Sequence, residues 1–211
     1  MSDDQDISVE RDQDDPHAAQ NTLSRYAMRI EALAELLDEK DIVSAREIED
    51  SMHRMERSTP SNGAAIVARA WTDPAFKTQL MNDPQSVLDE MEIRLEHDPG
   101  LTILENTPDL HHVVVCTLCS CYPRRLLGRP PDWYKSLAYR KRVVVEPRNV
   151  ISEFGYDVPE AVEVRVVDSS ADMRYMVLPV RPDGTEDMTQ EQLANLVTRD
   201  SLIGVNIPDS P

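Results

Sequence analysis

An α+β fold is predicted for this chain of 211 residues: an N-terminal helical arm followed by a mixed α/β metal-binding domain with a small sheet. Three features carry that expectation. Apolar residues in the first half recur at helical spacing and are punctuated by helix-starting signals. Short runs in the second half are β-branched or alternate as strands do. All three cysteines fall between Cys116 and Cys121, directly after one of those runs and directly before Pro123.

Taken in order, residues 1–21 are acidic and polar with few apolar anchors, the composition of a disordered leader. Residues 22–95 read as the helical arm. Tyr26, Ile30, Leu33 and Leu37 share one helical stripe. Ser44 and Glu47 have the spacing of a capping box, which opens a second helix running to about Arg57. Ser58 to Gly63 reads as a loop, and Ala64 to Ala70 as a helix ending near Trp71. Asp73-Pro74 and Asp83-Pro84 each place a capping side chain before a proline at the first helical position. These helices have little core of their own. They either pack on the chain's own sheet or form an arm over a partner subunit.

Residues 96–211 read as the α+β metal-binding catalytic domain. After a polar join at Glu96 to Gly100, Val113 to Val115 form a buried strand. His111 and His112 are expected to precede that strand and so to be carried away from the cysteine loop. Pro123, Gly128, Pro130 and Pro131 disfavour a long helix after the loop. Asp132 to Val145 reads as one helix, and Pro147 opens another that ends near Phe154-Gly155. Val162 to Val167 alternates like a half-buried strand, and Arg174 to Leu178 is a further strand. Thr189 and Gln192 cap a last helix through about Thr198.

Composition removes several function classes. A net charge of −17 opposes phosphate binding, which needs clustered Lys and Arg, so nucleic acid is not expected as a partner. No apolar run approaches the roughly 20 residues that cross a bilayer. The first residues lack the basic and apolar regions of a signal peptide. Closely spaced reduced cysteines suit the cytoplasm.

Three sulfurs so near in sequence converge only if the backbone curls round a common centre. A transition metal is the natural centre, because thiolates are soft ligands. A tetrahedral zinc or iron–sulfur site usually takes four ligands, and there is no fourth cysteine. A Cys-x-x-Cys redox pair normally opens a helix. A further arrangement uses the three sulfurs together with deprotonated loop amides, which demands a strongly Lewis-acidic, usually trivalent ion and leaves one open position.

Cys116-Thr-Leu-Cys119-Ser-Cys121-Tyr-Pro123 resembles the metal-binding motif of the nitrile hydratase α subunit and thiocyanate hydrolase γ subunit family. The resemblance runs from about Tyr26 to the end. It passes through Gly63 to Pro74, Leu104 to Pro108, Pro130 to Lys135, Asp168 to Pro179, Arg181 to Thr185 and Val197 to Gly204. It implies a low-spin Co3+ ion, one per chain, because Thr117 stands where iron-containing members usually carry serine. By the resemblance, Cys116 is an axial thiolate, Cys119 is oxidised to sulfinate and Cys121 to sulfenate. The amide nitrogens of Ser120 and Cys121 complete five donors, and water, hydroxide or substrate takes the sixth place. The implied activity is that of a hydro-lyase converting a nitrile to an amide. Either the metal polarises the nitrile or acidifies water, or the Cys121 sulfenate oxygen attacks or acts as base. Cys121, Cys119 and Ser120 are therefore the catalytic candidates. In the family, arginines of a β-type partner subunit meet the oxidised cysteines, so a hetero-oligomer is expected. A metal-loading activator is compatible with this reading.

Two departures bear on the substrate. Nitrile hydratases usually read Tyr-Pro-Trp-Pro-Val-Leu-Gly-Leu where this chain reads Tyr122-Pro-Arg124-Arg125-Leu-Leu-Gly128-Arg129. Arg124 would place a bidentate cation beside the metal, which suits a small anion, and thiocyanate hydrolase γ subunits resemble this chain there. His97 stands where nitrile hydratases often carry glutamine near the substrate amide. Arg124 and His97 are the substrate-binding candidates; the structural alternatives are an ion pair with the partner and a surface loop residue. Asp132, Tyr134 and Lys135 orient the loop or serve capping and packing. The first reading is a cobalt nitrile hydratase subunit. The second is a thiocyanate hydrolase γ subunit, releasing carbonyl sulfide and ammonia. The third, from another class, is a zinc-binding or redox module.

Overall fold

A computed structural model of the chain describes residues 16–95, 99–118 and 121–211. The chain divides into two compact units, with the boundary between Arg54 and Met55.

The first unit holds α1 (Pro16–Glu39) and most of α2 (Ala45–Glu56). The first helix is described from Pro16 onward and so includes part of the stretch expected to be a leader. Residues 1–15 lie outside the described residues. The expected stripe is present on α1, with Tyr26, Ile30 and Leu33 all more than half exposed. The α2 capping box forms as its sequence requires: Glu47 N–H donates to Ser44 Oγ at 3.2 Å, and Ser44 N–H donates to Glu47 Oε2 at 2.8 Å.

The second unit begins with α3 (Pro60–Thr72), α4 (Pro74–Asn82) and α5 (Pro84–Glu90). Asp73 accepts from the Phe76 amide at 3.0 Å and Asp83 from the Ser86 amide at 3.2 Å, so both Asp-Pro signals start helices. The expected loop from Ser58 to Gly63 is corrected, because α3 already begins at Pro60. Gly63 is a packing residue: a Cβ there would meet Leu126 O at 2.9 Å and Leu202 Cδ1 at 2.8 Å. These three helices share one core with the strands through Ile66, Val67, Phe76, Leu80, Val87 and Leu88.

Four strands follow, β1 (Gly100–Glu105), β2 (Leu110–Val115), β3 (Glu163–Asp168) and β4 (Met173–Leu178). They form two two-stranded parallel ladders, β1 with β4 and β2 with β3, where one small sheet was expected. The chain turns after Glu105, but Asn106 diverts what would become a hairpin. Its N–H donates to Leu178 O at 2.9 Å, prolonging the β1–β4 ladder, while its side-chain oxygen accepts the His112 N–H at 2.8 Å. His111 and His112 lie inside β2 and are buried, which corrects the expectation that they precede the strand.

Between β2 and β3 run α6 (Arg124–Leu127), α7 (Asp132–Lys135), α8 (Leu137–Val145) and α9 (Pro147–Glu153). The single helix expected over Asp132 to Val145 is broken at Ser136, whose hydroxyl accepts from the Tyr139 amide at 3.1 Å and caps the second piece. The chain closes with α10 (Gln190–Leu196) and α11 (Arg199–Ile203). The α10 helix stops before Thr198, which pairs with Ser201 in a new capping box. No described helix is long and apolar enough to cross a membrane.

Candidate metal centre

The second strand ends by delivering Cys116 into the interior at 1% exposure, and Cys121 returns from the loop at 7%. Cys119 and Ser120, between them, lie outside the described residues, as does His97. Parallel pairing of β2 with β3 sets Asp168 opposite Val115, level with the start of the loop. The Asp168 carboxylate accepts the Thr117 amide at 2.9 Å and the Thr117 hydroxyl at 2.5 Å. Ser169 N–H then donates to Val115 O at 2.7 Å and carries the ladder one step further.

The exit of the loop is held from the opposite side. Pro123 O accepts from the Leu126 and Leu127 amides, so α6 starts at once and stops at Gly128, whose φ of 73° reverses the chain. Tyr134 donates its hydroxyl to Cys121 O at 3.1 Å, and Tyr139 donates to Val114 O at 2.8 Å. Tyr122 donates to Leu127 O at 3.2 Å. Burial pushes all three phenols well above their ordinary range, so each remains an O–H donor. Trp133 wedges edge-on between Tyr139 and Phe154, with ring centroids 4.8 and 4.6 Å away, which fixes the rotamers behind the loop.

The donor set suits a soft transition metal: two buried sulfurs flank the loop, with a third in the segment between them. The Ser169 hydroxyl is buried beside the Tyr134 phenol, at the loop's flank. Among the described residues, no group of three His, Cys, Asp or Glu is assembled as a metal site. A three-sulfur set therefore requires Cys119.

His111 and His112 have other work. His111 Nε2 bonds to Gly204 O at 2.8 Å and its Nδ1 faces Asn106 Nδ2 at 3.2 Å. His112 Nδ1 bonds to Asn106 Oδ1 at 3.2 Å. Burial lowers the pKa of both rings, and for His112 Arg165 adds to the effect. They are neutral structural residues of the strand. Arg124, the first residue of α6, is exposed and lines a cavity of about 530 Å³ together with Arg129 and Lys135.

Of the site candidates, the structure places Cys116, Cys121 and Arg124 around one loop. It adds Asp168, which in the sequence only opens the run to Pro179 that resembles the family. Its one legible signal was its position directly after an alternating strand. Tyr134 both packs in the core and holds the loop, joining the two roles open to it.

Residues 24–206 match the family model described as nitrile hydratase, alpha chain. The chain is 50% identical over 197 residues to the low-molecular-weight cobalt-containing nitrile hydratase subunit alpha of Rhodococcus rhodochrous, covering 91% of this chain and 95% of that one. It is 43% identical over 191 residues to the thiocyanate hydrolase subunit gamma of Thiobacillus thioparus, covering 84% and 77%. Among solved structures, a double histidine mutant of the Fe-type nitrile hydratase from Comamonas testosteroni Ni1 superposes with a TM-score of 0.80 at 43% identity, covering 89% and 92%. Since the match runs through both ladders, the cysteine loop and the Asp168 clamp, this chain belongs to the nitrile hydratase alpha-chain family.

Proposed function

We propose that this chain is the metal-binding subunit of a cobalt nitrile hydratase, a hydro-lyase that adds water across a C≡N bond to give an amide. The observation that carries this reading is the buried Cys116–Cys121 loop in a chain half identical to a cobalt-containing nitrile hydratase subunit. Cys116, Cys119 and Cys121 are the proposed sulfur ligands, with the backbone nitrogens of Ser120 and Cys121. Cobalt held there would supply Lewis acidity toward the nitrile or toward water. Cys119 and Cys121 are proposed to carry sulfinate and sulfenate oxygens, which need cationic partners. A β-type partner subunit supplies those arginines. The exposed apolar stripe of α1 at Tyr26, Ile30 and Leu33 supports an arm that lies on that partner.

The residues of this chain do the positioning. Asp168 pins the entry of the loop through Thr117, Tyr134 pins its exit through the Cys121 carbonyl, and the aromatic wedge of Trp133 packs against Tyr134 and Tyr139. Such support from outside the ligand set determines how accurately a metal site is held.

A second reading, the γ subunit of a thiocyanate hydrolase, is favoured by Arg124. It presents a cation where nitrile hydratases usually have tryptophan, and it shares its cavity with Arg129 and Lys135. Steady-state rates of the cobalt-loaded complex with propionitrile and with thiocyanate separate the two. The first reading expects the nitrile to be the better substrate. A hundredfold preference for thiocyanate establishes the second, and turnover of neither removes both. Arg124→Trp is expected to weaken thiocyanate far more than propionitrile; an equal loss assigns Arg124 a structural role.

A further inference from the structure

The cavity that Arg124 lines has cations beyond that arginine, and their arrangement speaks to the size of the ligand. It measures about 530 Å³, lies wholly within the second unit, and is lined by Arg124, Arg129 and Lys135 against the single carboxylate of Glu56, with Met55 and Pro130 as apolar wall. Three cations thus line one cavity in a chain of net charge −17. The walls are fixed from below. Asn62 Nδ2 donates to Arg125 O at 2.6 Å, and Arg199 Nη1 donates to Arg129 O at 3.3 Å. Pro60 Cδ fills the space where a Cβ on Gly128 would stand, 2.8 Å away. Lys135 meets Asp132 at 3.2 Å, but Asp132 is fully in water, so that pair is weak and the ammonium keeps further donors for a ligand.

Volume decides which anion fits. A triatomic anion fills on the order of two water volumes, roughly 60 Å³, a small fraction of this space. Cavities of several hundred cubic ångströms hold ligands with a carbon skeleton. We infer that Arg124, Arg129 and Lys135 form a carboxylate-binding subsite beside the cysteine loop, and that the substrates are nitriles bearing a carboxylate a few bonds from the C≡N group. Within this subsite the guanidiniums take the carboxylate in bidentate fashion, and Met55 and Pro130 cover the methylenes. Hydration consumes one water per C≡N and leaves the carboxylate unchanged. This inference rests on the C≡N-hydrating function proposed above.

The test uses the full chain made with its partner subunit and cobalt. Calorimetry measures binding of pentanoate, which has the carboxylate but no triple bond, and of thiocyanate. Kinetics compares 4-cyanobutanoate with pentanenitrile, its neutral counterpart. The expected result is that Arg129→Gln and Lys135→Gln each weaken pentanoate about tenfold and lower the kcat/KM ratio of 4-cyanobutanoate to pentanenitrile by a similar factor. Arg129→Lys, which keeps the charge but loses the bidentate fork, should bind pentanoate more weakly than the parent and more tightly than Arg129→Gln, and an unfolding midpoint equal to the parent's in each variant guards against a fold defect. Pentanoate binding that is absent, or the same in parent and Gln variants, overturns the inference. So does thiocyanate binding tighter than pentanoate with the same losses, which would make this the site of a triatomic anion. If charge-dependent pentanoate binding is found but neither nitrile is hydrated, the subsite stands and the C≡N reading falls.

Discussion

Asp168 holds Thr117 by two bonds to one carboxylate, 2.9 Å to the amide and 2.5 Å to the hydroxyl, and so ties the third strand to the first turn of the cysteine loop. Serine in place of Thr117 would keep the hydroxyl, whereas valine would keep the shape and lose it. Thr117→Ser is expected to leave the metal content and unfolding midpoint nearly unchanged. Thr117→Val should cost about 1 kcal/mol, a modest figure because both residues are exposed in this chain. Asp168→Ala removes both bonds and should cost about twice that, with a lower metal content. Thermal unfolding and elemental analysis of the three variants check this; an Asp168→Ala protein with parental stability and full metal would contradict it.

At the other end of the loop, the buried Tyr134 hydroxyl serves the Cys121 carbonyl at 3.1 Å. Tyr134→Phe leaves that carbonyl without its donor, a loss of about 1–3 kcal/mol. The edge-on contact with Tyr122, at 5.0 Å between centroids, survives the change. The expected signature is lower stability with weaker metal retention, read by denaturant titration and by dialysis against chelator. Unchanged metal retention would show that Tyr134 packs without positioning.

The buried histidine pair makes stability depend on pH in a fixed direction. Both rings have folded-state pKa values below the unfolded value of 6.5. Below that value the unfolded chain binds more protons than the folded one, so their contribution is full above about pH 6.5 and is lost as pH falls through it. The limiting slope is about 1.4 kcal/mol per pH unit for each ring. The unfolding midpoint should therefore drop between pH 7.5 and 5.5, and His112→Asn should flatten part of that drop. A midpoint that is level across this window would contradict the neutral assignment.

How much was legible before the fold was seen divides along sequence distance. Asp73-Pro74, Asp83-Pro84 and Ser44 with Glu47 act over three or four residues, and each starts the helix expected of it. Strand β3 announced itself by alternation, and β4 was expected over Arg174 to Leu178. Ser58 to Gly63 read as a loop, and the glycine is explained by the approach of Leu202 Cδ1 and Leu126 O from distant segments. Ser136 was hidden inside an apparently continuous helix because its capping role depends on a break that tertiary packing imposes. The cysteine loop was legible because sulfur chemistry is specific to residue type. The Asp168 clamp was not, since it spans 51 residues and is set by the register of a parallel ladder that local pattern does not encode. Likewise, the cavity joins Arg124, Arg129 and Lys135 to Met55 and Glu56 at the end of α2, which local pattern does not connect.

The central claim is that the three sulfurs of this loop hold one trivalent cobalt ion. Metal analysis of the purified complex, produced with its partner chain and cobalt supplied, tests it most directly. One cobalt per chain is expected in the parent protein and almost none in Cys116→Ala or Cys121→Ala. Zinc in its place, or full cobalt in either variant, would contradict it.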